Sequence, residues 1–331
     1  MTESLADFNV GDNVSLNPTP CCDMRHLVLL HHLESQVAKM TRTSATWLAG
    51  AGAGAETCVE AIFQSAFSSP YLMHELLAFS ALHLSTLQSD EVRKSEFLRQ
   101  SAELQTQGLS LFNAAKPEVR NENCLVLFVF AAILGMHTLF DAVASCKGSV
   151  ALDKIINYLK VHRGVTAITY QSWHTLRHSE IRYIIDAIEA ADSLYRQQLG
   201  DTENDCDVLL NLFNESSEKL SPGQYKACLE AIQALHWVFG LRRTVSELHP
   251  MQITLAWPAR ISVEFVESLE QRQPIALVIL AYWAVLLHAD RDIWVFGNAG
   301  RHIIECLSAH LGSYWDEWLD LPRSVLKRNG P

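Results

Sequence analysis

Apolar residues recur at helical spacing along the chain from about residue 23 to about residue 320, and no segment alternates as a half-buried strand would. The pattern predicts an all-α fold, a single large domain of about ten to twelve helices. The predicted helices are 23–41, 56–67, 70–88, 91–114, 121–142, 151–171, 181–198, 221–247, 260–271, 274–290 and 293–311, with a short aromatic helix at 313–320.

Prolines mark several of the predicted helix boundaries. Pro70, Pro222 and Pro274 each follow a polar residue and open an apolar stretch. Proline suits this place because the first turn of a helix has no intrahelical partner for the missing N–H. Trp257-Pro258 instead predicts a break between two helices.

The ends of the chain are more polar than its middle. We expect a flexible tail at 1–22, the helical domain at 23–322 with a seam near 200–220, and a second tail at 323–331. The first tail lacks the apolar segment of a secretory signal. A membrane-spanning helix needs about 20 apolar residues, and the apolar segments 124–140 and 275–287 are shorter than this. We therefore expect them to form core helices, with no membrane span.

Charge and cysteine content narrow the function. The chain has 26 Lys and Arg against 37 Asp and Glu, a net charge of −11. Without a basic run it lacks the phosphate-neutralising charge that direct nucleic-acid binding requires. Its eight cysteines form no Cys-x-x-Cys, which predicts reduced thiols, no zinc cluster, and a location in the nucleus or cytoplasm.

Sequence motifs for cofactors and metals are incomplete. The Gly-x-Gly-x-Gly run at 49–56 lacks the preceding strand and the spacing of a dinucleotide loop. The acidic segment 201–207 lacks the glycine of a calcium loop, and His174 with His178 supplies only two ligands. We expect neither a cofactor nor a metal.

Large apolar side chains follow two of the predicted helices and define candidate ligand-binding residues. These are Phe128, Ile133, Met136, His137 and Phe140 on the first helix, and Tyr282, Trp283, Leu286, Leu287, His288 and Trp294 along and just beyond the second. Such clusters wall lipid pockets, and they also form ordinary cores. We expect the two helices to face one cavity, with His137 or His288 as its polar group.

Several sequence blocks, taken together, resemble the regulatory domain of fungal binuclear zinc-cluster transcription factors, most closely the sterol uptake control protein type. The blocks are LVLLHHLESQVA (27–38), AFSSPYLMHELLAFSALHLS (66–85), NENCLVLFVFAAIL (121–134), LKVHRGVTAI (159–168), LAWPARISVEFVESLEQRQPIALVILAYWAVLLH (255–288) and YWDEWLDLP (314–322). The resemblance covers roughly residues 24–322. It implies an all-α regulatory fold, often dimeric, which in the sterol-sensing branch holds a sterol in an apolar pocket near the C-terminal helices.

The sequence departs from that family at its N-terminal end. Family members carry a six-cysteine zinc cluster followed by a basic segment, whereas here only Cys21-Cys22 precedes the similar region. We therefore expect a regulator without its own DNA-binding domain, which binds an apolar, sterol- or terpenoid-like molecule. It would act as a homodimer or as a heterodimer with a zinc-cluster transcription factor.

Two other functions remain open from the sequence. The first is a cofactor-independent enzyme of fungal secondary metabolism, which would use the apolar pocket for a pericyclic or acid-assisted cyclisation of a terpenoid or polyketide. Its candidate catalytic residues are His137, Asp141 and His288. The second is a scaffold with a filled core and no ligand.

Overall fold

The computed structural model describes residues 23–43, 55–144, 149–198, 206–216, 220–244 and 250–328. The predicted N-terminal tail and the glycine and acidic segments at 49–54 and 201–205 lie outside these residues. Within them the chain forms fourteen α-helices, one 3₁₀ turn and no strand, which confirms the all-α fold. The helices are α1 (Met24–Thr43), α2 (Ala55–Ser68), α3 (Pro70–Thr86), α4 (Glu91–Ala115), α5 (Cys124–Ala144), α6 (Ser149–Leu176), α7 (Arg182–Gln198), α8 (Asp207–Ser216), α9 (Pro222–Thr244), α10 (Pro250–Arg260), α11 (Val263–Glu270), α12 (Pro274–Ala289), α13 (Ala299–Leu311) and α14 (Asp320–Arg328).

The three prolines expected to open helices do so. Pro70, Pro222 and Pro274 are the first residues of α3, α9 and α12. The residue before Pro274 completes that helix start, because the side chain of Gln273 accepts a hydrogen bond from the backbone N–H of Ala276 at 2.8 Å.

Two boundaries differ from the sequence prediction near the ends of the domain. Residues 207–216, inside the expected seam, form α8, whose first turn carries Asp207 beside the partly positive helix N-terminus. Residues 323–328, assigned to a tail, continue α14, whose Pro322 lies in the first turn and therefore does not interrupt it.

The break expected at Trp257-Pro258 is wrong, because α10 runs through Pro258. Proline lacks the N–H that would bond to the carbonyl oxygen four residues earlier, here that of Thr254. The indole N–H of Trp283 donates to this oxygen instead, at 3.0 Å. A side chain from α12 thus replaces the missing hydrogen bond within α10.

A contiguous cluster of buried apolar side chains extends from Leu33 on α1 to Leu319 just before α14, as expected for a single domain. α3 packs on α4, α5, α1 and α2, whereas α12 packs on α13, α14, α9, α10 and α11. α13 contacts both α5 and α12. Gly108 lets α4 approach α3 closely, since an added Cβ would lie 3.2 Å from the carbonyl oxygen of Tyr71.

α5 is long and apolar enough to cross a membrane by length and composition alone. It is 21 residues long rather than the 17 of the predicted apolar segment, so the sequence argument from length does not hold. α11 and α12 together also pass, with a bend of 107° between them. Of the most apolar 18-residue window of α5, 56% is buried inside the fold, and buried core helices meet the same criteria.

Candidate functional site

Four of the predicted site residues belong to two groups of side chains. His137 and Phe140 on α5 belong with Trp294, in the turns between α12 and α13, to a group completed by Glu75, Phe79 and Ser101. We call this group the His137 site. Trp283 on α12 belongs with Tyr158, Thr254 and Trp257 to a second group, the Trp283 stack.

The His137 site contains a fully buried pair of ionisable side chains. His137 on α5 is 2% exposed and Glu75 on α3 is 0% exposed. His137 Nδ1 lies 3.2 Å from Glu75 Oε1. On its other side, Nε2 lies 3.3 Å from the hydroxyl oxygen of Ser101 on α4. One imidazole therefore joins three helices.

The hydrogen bonds around His137 determine which atoms donate. The Ser101 hydroxyl has one hydrogen and donates it to the carbonyl oxygen of Ala78 at 2.8 Å. At the contact between Ser101 and His137, Nε2 is therefore the donor. The contact between Nδ1 and Glu75 Oε1 then holds one proton, on one atom or the other. In both arrangements Glu75 Oε2 carries only lone pairs and is an acceptor.

Glu75 Oε2 has no hydrogen-bond partner among the described residues. A buried polar atom without a partner costs about 1–3 kcal/mol, and more when the group is charged. Native folds keep few such atoms, so each requires an explanation. Here the chain presents an unmatched acceptor next to a histidine.

Aromatic rings surround one side of this polar pair. Phe79, one turn after Glu75 on α3, has its ring centroid 6.5 Å from that of His137 and 4.9 Å from that of Trp294. Phe140 lies 5.7 Å from Trp294. His137, Phe140 and Trp294 thus lie in one neighbourhood, linked through Phe79, which the sequence prediction did not name.

The candidate catalytic residues His137, Asp141 and His288 lie in different places. Asp141 is exposed, one turn after His137, and partial desolvation raises the pKa of its carboxyl against the opposing charges of His137 and Lys154. His288 lies against α13, where an added Cβ on Gly300 would come within 2.3 Å of its backbone nitrogen. Asp141 thus lies one helical turn from His137 on α5, whereas His288 lies in other surroundings.

His288 is itself a buried polar side chain, 1% exposed, and neither ring nitrogen has a partner among the described residues. Burial lowers the pKa of His288, and the charges of Arg291 and Arg301 act in the same direction. The remaining candidates on α12, Tyr282, Leu286 and Leu287, are buried in the core, as are Ile133 and Met136 on α5, while Phe128 is partly buried.

The Trp283 stack has a clear structural role. The ring of Trp283 lies between Tyr158, at 6.0 Å and 13°, and Trp257, at 5.5 Å and 24°. Its indole N–H is committed to Thr254, and that of Trp257 donates to the carbonyl oxygen of Ala231 at 2.9 Å. The Tyr158 hydroxyl is buried without a partner in the described residues.

A second network anchors the same part of α10. The Thr254 hydroxyl donates to Asp290 Oδ2 at 2.8 Å, and both terminal nitrogens of Arg242 donate to the two oxygens of that carboxylate at 2.6 Å. Paired hydrogen bonds from a guanidinium to a carboxylate are strong and directional. Asp290 therefore has its acceptors filled, unlike Glu75.

In the described part of the chain, no three His, Cys, Asp or Glu side chains lie close enough to hold a metal ion. His174 and His178 meet edge to face, with their ring centroids 5.0 Å apart and their planes at 66°. Each region above thus presents hydrogen-bonding and aromatic groups rather than a set of metal ligands.

Sequence reasoning missed Glu75 and Ser101. Glu75 had a visible signal, since it is the one carboxylate in the largely apolar segment 71–84. A charged residue in such a segment is buried only when it is paired. Ser101 had no such signal, because serine is frequent on exposed helix faces and its partner Ala78 is a backbone acceptor.

Comparison with known proteins identifies the class. Residues 28–199, more than half of the chain, match the fungal specific transcription factor domain, and the chain belongs to that family. A Zn(2)-C6 fungal-type transcription factor of Gibberella zeae is 24% identical in an alignment of 331 positions. The alignment covers 93% of this chain and 63% of the relative. The chain thus spans less than two thirds of that relative's length. Glu75, Ser101 and His137 lie inside the matched region, and the α12 residues lie outside it.

Proposed function

We propose that this chain is a transcriptional regulator of the fungal zinc-cluster type that holds an apolar, sterol- or terpenoid-like molecule at the His137 site. Membership of the transcription factor family supports the regulatory role. The observation that carries the ligand proposal is the unmatched acceptor Glu75 Oε2 in a core lined by Phe79, Phe140 and Trp294. A mostly apolar site with few polar groups is typical of small-molecule pockets.

We further propose a dimer with a zinc-cluster transcription factor as the partner. The net charge of −11 favours an arrangement in which the residues of this sequence do not themselves contact DNA. We propose the nucleus as its location, because such a dimer would act on DNA there. The partner is tested by pull-down from a fungal nuclear extract with the purified chain. Recovery of a zinc-cluster protein supports the proposal, and recovery of none contradicts it.

The ligand is tested on tagged protein purified from a filamentous fungus, by native mass spectrometry followed by solvent extraction. We expect an unchanged apolar compound at up to one molecule per chain. The matched control is the double variant Glu75→Leu with His137→Leu, which replaces the polar pair by apolar side chains and should carry none. Wild-type protein that stays bare after incubation with an apolar extract of the fungus would contradict the ligand proposal. A product that accumulates beyond one per chain would replace the receptor function by catalysis.

A further inference from the structure

The polar atoms of the His137 site limit the chemistry of its ligand. Ser101 commits its only hydrogen to Ala78, so His137 Nε2 donates to Ser101 and a single proton remains between Nδ1 and Glu75 Oε1. Whichever of these two atoms carries the proton, Oε2 accepts and does not donate. A carbonyl or ether oxygen placed there would bring one acceptor against another.

The net charge of the Glu75–His137 pair further limits which donor group the ligand can carry. Glu75 and His137 together are neutral overall in either arrangement, as an ion pair or as an uncharged pair. A cationic amine would therefore add an unbalanced charge at a place where both residues are at most 2% exposed, which is costly. A neutral hydroxyl supplies the donor without that cost.

Aromatic rings adjoin the polar pair, so the body of such an alcohol would contact apolar side chains. Phe79 follows Glu75 by one helical turn, so the two side chains share a face of α3. Trp294 packs against Phe79 and also stacks on His83, with centroids 4.7 Å apart and planes at 19°. The side chains next to the polar pair are therefore aromatic.

From these observations we infer that the His137 site recognises an apolar alcohol, whose hydroxyl donates a hydrogen bond to Glu75 Oε2. The inference rests on the proposed function, because it specifies the ligand of that site. It adds a preference for alcohols over the corresponding ketones and ethers.

The test uses two pairs of probes of different size. Cholestanol is compared with cholestanone, and farnesol with its methyl ether, by equilibrium binding to the full chain. Hydrogen bonds to charged groups are among the stronger ones, so we expect the wild type to bind the alcohol about ten-fold more tightly in at least one pair.

The variant Glu75→Gln sharpens the test. A neutral glutamine leaves His137 uncharged with its hydrogen on Nε2, so the NH₂ group of the glutamine donates to Nδ1 and its oxygen remains an acceptor where Oε2 stood. We expect Glu75→Gln to keep the preference for the alcohol, whereas Glu75→Leu with His137→Leu, which removes the acceptor, should bind the alcohol at least about ten-fold more weakly. Trp283→Phe is the matched control, since it alters a buried aromatic outside the site and should keep the wild-type ratio.

The outcomes separate the two proposals. If the wild type binds probes but prefers the alcohol in neither pair, the ligand proposal stands and the alcohol inference is overturned. If none of the four probes binds, the ligand proposal falls with it. The wild-type comparison needs no variant, so poor folding of Glu75→Gln would not obscure the result.

Discussion

Two parts of the core combine aromatic rings with buried polar atoms, and they use the polar atoms differently. In the Trp283 stack both indole N–H groups bond to backbone carbonyl oxygens, and one of them repairs the gap that Pro258 leaves in α10. In the His137 site a carboxyl oxygen is left unmatched beside a histidine that ties three helices together. Similar aromatic content thus accompanies different hydrogen bonding in the two parts: the indole groups are paired, whereas Glu75 Oε2 and the Tyr158 hydroxyl lack partners among the described residues.

The largest expected effect comes from breaking the polar pair. His137→Leu leaves Glu75 buried without its partner, and we expect the free energy of unfolding to fall by about 3–5 kcal/mol. The double variant with Glu75→Leu should recover most of this loss, since apolar replacement of a buried pair is often neutral or stabilising. Urea denaturation measures both. A double variant no more stable than the single one would contradict this account of the pair.

The next effect is a loss of stability in acid from His162, which lies between the two regions. The His162 ring lies 5.4 Å from that of Tyr158, tilted by 39°, and it faces Gly135 on α5. Burial lowers its pKa from 6.5 to about 4, opposed by the hydrogen bond to Leu255. Below about pH 6.5 His162 is therefore protonated in the unfolded chain, whereas in the folded chain it stays neutral down to about pH 4. The contribution of His162 is complete above pH 6.5 and is lost as the pH falls towards 4.

Denaturation at about pH 7.5 and about pH 5 should show this effect, with His162 accounting for about 2 kcal/mol of the difference. His162→Gln, which does not titrate, should lose less stability on acidification by that amount. His83, whose pKa burial and His32 also lower to about 4, adds a loss of the same sign in both proteins. An equal loss in wild type and variant would show that His162 does not remain neutral in the fold.

A smaller effect tests the repair of α10. Trp283→Phe keeps an aromatic ring but removes the N–H that serves Thr254, so we expect a loss of about 1–3 kcal/mol. Adding Pro258→Ala supplies a backbone N–H to the same carbonyl oxygen and should reduce the cost of the tryptophan change. The double-mutant cycle is read by thermal or urea unfolding. Strict additivity of the two changes would mean that Trp283 acts through packing alone.

The smallest effect concerns the Tyr158 hydroxyl. Since burial raises the pKa of this group and it has no partner in the described residues, Tyr158→Phe removes an unsatisfied polar atom. We expect stability within about 1 kcal/mol of the wild type, unchanged or higher. Ligand retention should not change either, and its loss would move the ligand site towards the Trp283 stack.

Helix periodicity predicted most of this fold because apolar positions recur at helical spacing and several helices begin at a proline. The exceptions have two different causes. Pro258 continues α10 because Trp283, in another helix, bonds to Thr254. α14 extends through residues 323–328, where the polar composition of the short helix resembled that of a tail.

The candidate site was predicted in part for the same reason. His137, Phe140 and Trp294 stand out as a polar tip and large rings in apolar segments, and the structure brings them together. Their partners Glu75 and Ser101 lie 62 and 36 residues from His137 in the chain, and no pattern within one helix reveals such pairings. The sequence also grouped α12 with α5, whereas α12 packs mainly on α13 and the helices around it.

The most direct test of the distinction between the two regions is the shift in melting temperature that a bound alcohol produces. The ligand is cholestanol or farnesol, whichever the wild type binds. The melting temperature is measured with and without this ligand for three proteins: the wild type, the double variant Glu75→Leu with His137→Leu, and the double variant Trp283→Phe with Pro258→Ala. A ligand stabilises a fold only if the folded state binds it. We predict that the shift is kept when the Trp283 stack is altered and lost when the polar pair is removed. The reverse pattern would contradict the account.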